Sequence, residues 1–175
     1  ALRAAALTEM NVKIAELEQG ALRPWFLETE LIYNTAINSA TGIPSNFLSE
    51  VEDGFLRMYN PSLGTLVKIP KTSYSNLLDK TMNAALGFPE RYAIFGEAIY
   101  YGPMPDAVYA ATFPYLKRSD AVGDDLAAVS NPWLVRFPTY IILETAMNLA
   151  SFHIQSPELI QKLTGPLSIA RDAYI

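Results

Sequence analysis

Leu7, Met10, Ile14 and Leu17 recur at spacings of three and four, which predicts a helix over 2–19 with one packed stripe. Gly20 marks its end and Pro24 follows. Two heptads are too few to fix a coiled coil, so the stripe reads as one side of an ordinary bundle. Beyond Trp25 the period shortens to alternation. Strands are predicted over 27–37 and 51–59, with a shorter one over 66–69 between Gly64 and Pro70. A turn at 42–47 feeds the second of these. Thr72 is placed to cap a helix reaching about Met82, with Leu77 and Leu78 facing inward.

The sharpest local signal is a hairpin. Residues 91–95 and 98–101 flank Gly96-Glu97, and glycine at the first central position is what a two-residue type II′ turn requires. That register pairs Ile94 with Ile99 and Tyr92 with Tyr101. The opposite face, Ala93, Phe95, Ala98 and Tyr100, is hardly more polar, so both faces need cover. Residues 103–106 then turn the chain into a third strand over 107–113, with Tyr109 and Phe113 on one side and Val108 and Thr112 on the other.

An acidic loop is expected over 117–130. Asn131 caps a short turn with Pro132 at its first position, and a main helix is predicted over 138–154. Glu144, Asn148, Ser151 and Gln155 form a narrow polar stripe on that helix, which is otherwise apolar and therefore surrounded on most sides. Ser156-Pro157-Glu158 opens a last helix whose seam is Ile160, Leu163, Leu167, Ala170 and Tyr174. Pro166 cannot donate to the Lys162 carbonyl, so a kink is expected there. The fold class predicted is α+β. N- and C-terminal helices (1–24 and 130–175) form a bundle, and a β-rich region, a small sheet or barrel-like, is inserted over 25–129 within one compact structural unit.

Composition narrows the function. At 175 residues, half of them hydrophobic and 18% charged, the chain is apolar for its size, and partners are expected to cover part of its surface. A net charge of −5 with scattered cations argues against tight phosphate-backbone binding. The chain has no cysteine, hence no thiolate chemistry and no disulfide scaffold. No signal peptide or membrane span is read from the sequence, and the opening alanine is what removal of an initiator methionine would leave.

Catalytic chemistry finds little support. His153 is the only histidine, has no marked nucleophile or orienting carboxylate, and reads as a packed or helix-end residue. A zinc site lacks ligands. Asp120, Asp124 and Asp125 miss the calcium-loop pattern, and Glu50, Glu52 and Asp53 carry nothing that singles them out as a hydrolytic pair. No cofactor and no metal is expected. The aromatic set Tyr92, Tyr100, Tyr101, Tyr109, Phe113 and Tyr115 admits sugar or base stacking, but reads first as sheet core with a subunit contact.

The order of several short motifs resembles the tailed-bacteriophage head-to-tail adaptor proteins, the family typified by the adaptor of phage SU10. They are Ile43-Pro44-Ser45-Asn46-Phe47-Leu48; Pro89-Glu90-Arg91-Tyr92-Ala93-Ile94-Phe95-Gly96 with Ile99 and Tyr101; Pro103-Met104-Pro105-Asp106; Tyr115-Leu116; Asn131-Pro132-Trp133-Leu134; and Pro138-Thr139-Tyr140. The resemblance spans roughly 10–175. It implies a non-enzymatic virion protein, assembled in the host cytoplasm. About twelve copies would form a ring below the portal in the phage neck. That ring would extend the DNA channel for ejection and dock tail or nozzle proteins, without sequence-specific DNA binding or membrane contact. Its motif residues are then structural or subunit-contact candidates. Such a ring would carry roughly −60, a wall along which DNA slides. A stopper or tail-terminator, a carbohydrate-binding β module and a small hydrolase remain as alternatives.

Overall fold

The computed structural model describes residues 2–20, 24–52, 54–79, 85–123 and 131–173. In chain order the elements are α1 (Leu2–Gln19), a 3-10 turn (Trp25–Leu27), β1 (Glu28–Asn34), β2 (Thr41–Gly42), β3 (Phe47–Glu50), β4 (Leu56–Asn60), β5 (Thr65–Ile69) and α2 (Tyr74–Leu77). They continue with β6 (Arg91–Phe95), β7 (Ala98–Gly102), β8 (Ala110–Lys117), α3 (Pro132–Arg136), α4 (Pro138–Asn148), a π-helical extension (Leu149–Ile154) and α5 (Pro157–Asp172). Two compact units result, 1–27 with 118–175, and 28–117.

In the helical unit α1, α3 and α5 all pack against α4. Ile14, Leu27, Trp133, Ile141, Ala150 and Leu167 form its buried apolar set, each large side chain contributing about 1.5–3 kcal/mol. Gly20 closes α1 by donating its N–H to the Leu17 carbonyl at 3.2 Å. The Asn131 side chain accepts from Trp133 N at 2.9 Å, which caps α3. Ser156 caps α5, and Pro166 sits inside that helix. Tyr174, the last residue of the expected seam, lies outside the described residues.

The β unit holds two antiparallel sheets. In the larger, β8 pairs with β1 along its whole length on one side, while its other side is shared by β3 and β4, with β5 beyond β4. The smaller has the order β2-β7-β6. Leu56, Met58 and Ile69 from one sheet and Tyr92, Ile99 and Tyr101 from the other meet Tyr109, Phe113 and Tyr115 in a common core. The β6–β7 hairpin has the register expected, Tyr92 opposite Tyr101 and Ile94 opposite Ile99, with Gly96 at φ +59. Its second face is covered by α2, where Tyr74 stacks on Phe95 at 4.3 Å between ring centroids and meets Tyr100 edge-on at 5.0 Å.

Several expectations are corrected. The β region is not barrel-like: neither sheet closes, because the hairpin pairs with short β2 instead of β8, leaving β1 and β5 as open edges. The third strand starts at Ala110 and runs through Pro114 to Lys117, and belongs to the other sheet. Pro114 is tolerated because it falls between Thr112, paired with β4, and Tyr115, paired with β3, so the absent N–H leaves no ladder bond unmade. The chain at Val51 is not strand but a turn, closed by Gly54 N–H to the Val51 carbonyl at 3.0 Å. Ser73, not Thr72, caps α2, and Leu78 is exposed. The part of that helix expected over 80–82 lies outside the described residues.

Candidate functional site

Of the tyrosines singled out from sequence, Tyr92, Tyr101, Tyr109 and Tyr115 are core residues with satisfied hydroxyls, while Tyr100 is half-buried beside Tyr74. Tyr33 and Tyr101 share a hydroxyl contact of 2.8 Å, and Tyr101 donates to Thr41 Oγ1 at 2.7 Å. Tyr92 donates to Glu50 Oε1 at 2.8 Å, and Glu50 is also paired with Lys71. Tyr115 donates to Asn46 Oδ1 at 3.1 Å, and Tyr109 to Asp106. Burial, reinforced by neighbouring oxygens, pushes the Tyr33 and Tyr92 phenols far up; burial raises Tyr101 despite its hydrogen bonds. The Asp106 hydrogen bond, with burial, pushes Tyr109 up to about 12. Since Tyr92, Tyr101, Tyr109, Phe113 and Tyr115 are all buried, they present no open ring face on which a sugar or base would stack.

The proline and glycine positions are structural joints. Pro89 and Pro105 are fully buried. Pro103 follows a cis peptide bond, and the Pro105 carbonyl accepts from Asn38 N at 2.8 Å. The Pro44 carbonyl accepts from Phe47 N at 2.9 Å, and both residues line a small recess with Gly96 and Glu97. Phe47 also stacks over Phe113 and Tyr115.

The helical unit carries the less expected chemistry. Trp133 is fully buried, with its indole N–H on Glu18 Oε1 at 3.1 Å and its ring edge-on to Phe26 at 5.1 Å. Glu18 also accepts from Ser119 N at 3.0 Å, so this one carboxylate ties α1, α3 and the strand-to-helix connection together. Asn11 clamps the same connection by exchanging two bonds with the Val122 backbone. Pro138 opens α4, and Tyr140 lies buried two residues on. Glu144 is buried, 2.8 Å from Arg171 Nη2 on α5 and 3.7 Å from Lys13 Nζ on α1. Burial works against its charge, but the Arg171 hydrogen bond, Lys13 and Tyr140 together hold its carboxyl below the ordinary 4.5. Burial and the Glu144 charge push Tyr140 up to about 12.

The polar stripe of α4 therefore points inward: Glu144 meets Arg171 and Lys13, and Asn148 donates to Glu9 at 3.3 Å. The apolar residues Val135, Ile142, Phe152 and Ile154 point outward, as do Trp25 and Ile169. Phe152 and Ile169 are 72% and 73% exposed. A mainly apolar groove of about 660 Å³ runs between the start of α4 and the end of α5, lined by Phe137, Pro138, Leu143, Pro166 and Ile169 among others.

His153 reaches Glu9 Oε1 at 3.2 Å, across the α1 side of the unit. Sequence reasoning placed it at the helix end without its carboxylate. It missed Glu9, Asn11 and Glu18 altogether, although Glu18 follows Ile14 by one turn and so continues the inward stripe. Glu50 ends β3 and Glu52 lies in the following turn, so the two do not share a strand face. Asp53, Asp124 and Asp125 lie outside the described residues. Among the described residues there is no group of acidic or histidine side chains able to hold a metal ion, and no helix long and apolar enough to cross a membrane. No protein-family model matches the chain, and no curated protein sequence matches it.

Proposed function

We propose that this protein is a structural head-to-tail adaptor, a ring-forming part of a phage neck with no catalytic role. It binds the portal on one side and tail components on the other, and its negative lumen lets DNA pass. The observation that carries this reading is the apolar exterior of the helical unit, where Trp25, Val135, Ile142, Phe152 and Ile169 are exposed while Glu18 and Glu144 are buried. An exterior of that kind is what lateral contacts between subunits cover. The ordered motifs at 43–48, 89–106 and 131–140 support the adaptor class, and the charge of −5 per chain suits a channel wall.

Mass measurement of the purified protein, alone and mixed with portal, tests the reading. A ring-sized particle in either sample, and the protein's presence in virions, is the expected result. A monomer in both samples that is absent from virions overturns it.

A further inference from the structure

The two ends of the larger sheet match each other. Its path β1-β8-β4-β5 is antiparallel at every step, so the edge strands β1 and β5 run in opposite directions. Identical copies set side by side in the same orientation therefore bring β5 of one against β1 of the next as an antiparallel pair. A head-to-tail contact of this kind is the one that builds a ring.

The backbone groups available at each edge follow from the observed pairing. Thr35 N–H bonds the Tyr109 carbonyl, so odd-numbered residues of β1 face β8. Glu28, Glu30, Ile32 and Asn34 consequently turn their N–H and C=O outward. Arg57 pairs with Thr112 of β8, so β4 faces β5 through Met58, and Leu66 and Lys68 of β5 turn outward. The same parity sends the Pro70 carbonyl away from β4, where it accepts from Tyr92 N at 3.1 Å; the β5 edge is thus open from Thr65 to Lys68.

Charge and shape select the register. β1 carries Glu28 and Glu30 on its exposed face; β5 carries Lys68, beside Arg57 of β4. Among the described residues Glu28, Glu30 and Lys68 have no ion-pair partner, and the Lys68 ammonium rests over the Phe55 ring at 4.1 Å. Setting Glu30 opposite Lys68 places Ile32 opposite Leu66, which are 76% and 55% exposed, and Leu31 opposite Val67 on the core side. Oppositely charged and apolar cross-strand pairs both favour such a junction.

From this match we infer that β5 of one copy adds to β1 of a second copy, Lys68 opposite Glu30 and Leu66 opposite Ile32, joining the larger sheets head to tail around the assembly. The inference rests on the ring proposed above and specifies how neighbouring subunits meet.

Charge reversal tests it on surface positions that folding does not depend on. Lys68→Glu and Glu30→Lys should each raise the concentration needed for assembly at least about tenfold, and the double exchange should restore it. In the cysteine-free chain, Leu31→Cys with Val67→Cys should give a covalent ladder of multimers on oxidation, since directly opposite residues of a non-hydrogen-bonded pair are close enough to bridge. If wild-type rings form but both single reversals assemble normally and no ladder appears, the edge pairing is wrong and the adaptor reading stands. If portal or a tail protein, instead of a second copy, is cross-linked through either cysteine, the inference fails in favour of that partner. If the wild type never assembles, alone or with portal, the adaptor reading itself falls and the pairing with it.

Discussion

The β unit and the helical unit bury different polar groups. In the β unit an apolar and aromatic core holds polar tips closed by neighbouring hydroxyls, as with Tyr33, Tyr101 and Thr41. In the helical unit two carboxylates share the interior with Ile14, Trp133, Ile141 and Leu167. Glu18 and Glu144 are buried, whereas Phe152, Ile169 and Trp25 are exposed. One core is thus closed by hydroxyls and the other by paired carboxylates, and both units leave large apolar side chains exposed, Ile32 and Leu66 in the first and Phe152 and Ile169 in the second.

The contrast can be broken most forcefully at Trp133. Trp133→Ala removes a fully buried indole and the hydrogen bond to Glu18, and should cost about 3–5 kcal/mol in denaturant unfolding. A wild-type melting profile would show that the helical unit does not depend on this anchor. In the β unit the matching weak point is Gly54, where an added Cβ would lie 2.9 Å from the Val51 carbonyl oxygen and 3.0 Å from Pro114 Cγ. Gly54→Ala should cost roughly 1–3 kcal/mol by overpacking, read from the same unfolding curves.

Glu144 sharpens the comparison through pH. Its folded pKa lies below the ordinary 4.5, so its contribution is complete above that value and fades as pH falls through the lowered folded one. Glu144→Gln should cost about 1–2 kcal/mol at neutral pH, because Arg171 and Lys13 lose their shared counter-charge. Its unfolding free energy should also fall less than the wild type's between pH 5 and about pH 3. Equal acid sensitivity in the two proteins would remove Glu144 from the account. Smallest in stability is Phe152→Ser, expected within about 0.5 kcal/mol of wild type in the isolated chain. It should nevertheless lower ring yield measurably; unchanged assembly would mean that this part of the exterior is not a contact.

Local signals made α1 and the β6–β7 hairpin legible, the first from the spacing of Leu7, Met10, Ile14 and Leu17, the second from Gly96. The distribution of strands between two sheets was not legible. Nothing near β8 announces that β1, some eighty residues earlier, is its partner, and short β2 and β3 carry too few residues for a period. Periodicity located the polar stripe of α4 but not its direction. Which side faces inward depends on Lys13 and Arg171, brought from opposite ends of the chain. The buried carboxylate Glu18 was readable in principle, as a charge in line with Ile14, once a buried donor such as the Trp133 indole was granted.

The placement of the two tryptophans has a practical consequence. Trp133 is sealed against a carboxylate, while Trp25 is 65% exposed with the Arg136 guanidinium 4.9 Å from its ring centre. Intrinsic fluorescence therefore carries two separable signals: an emission shielded from iodide that reports whether the bundle is folded, and a quenchable one that reports whether its outer surface is occupied. Loss of the quenchable signal on mixing with another component, with the shielded one unchanged, would mark docking without the need for any attached dye.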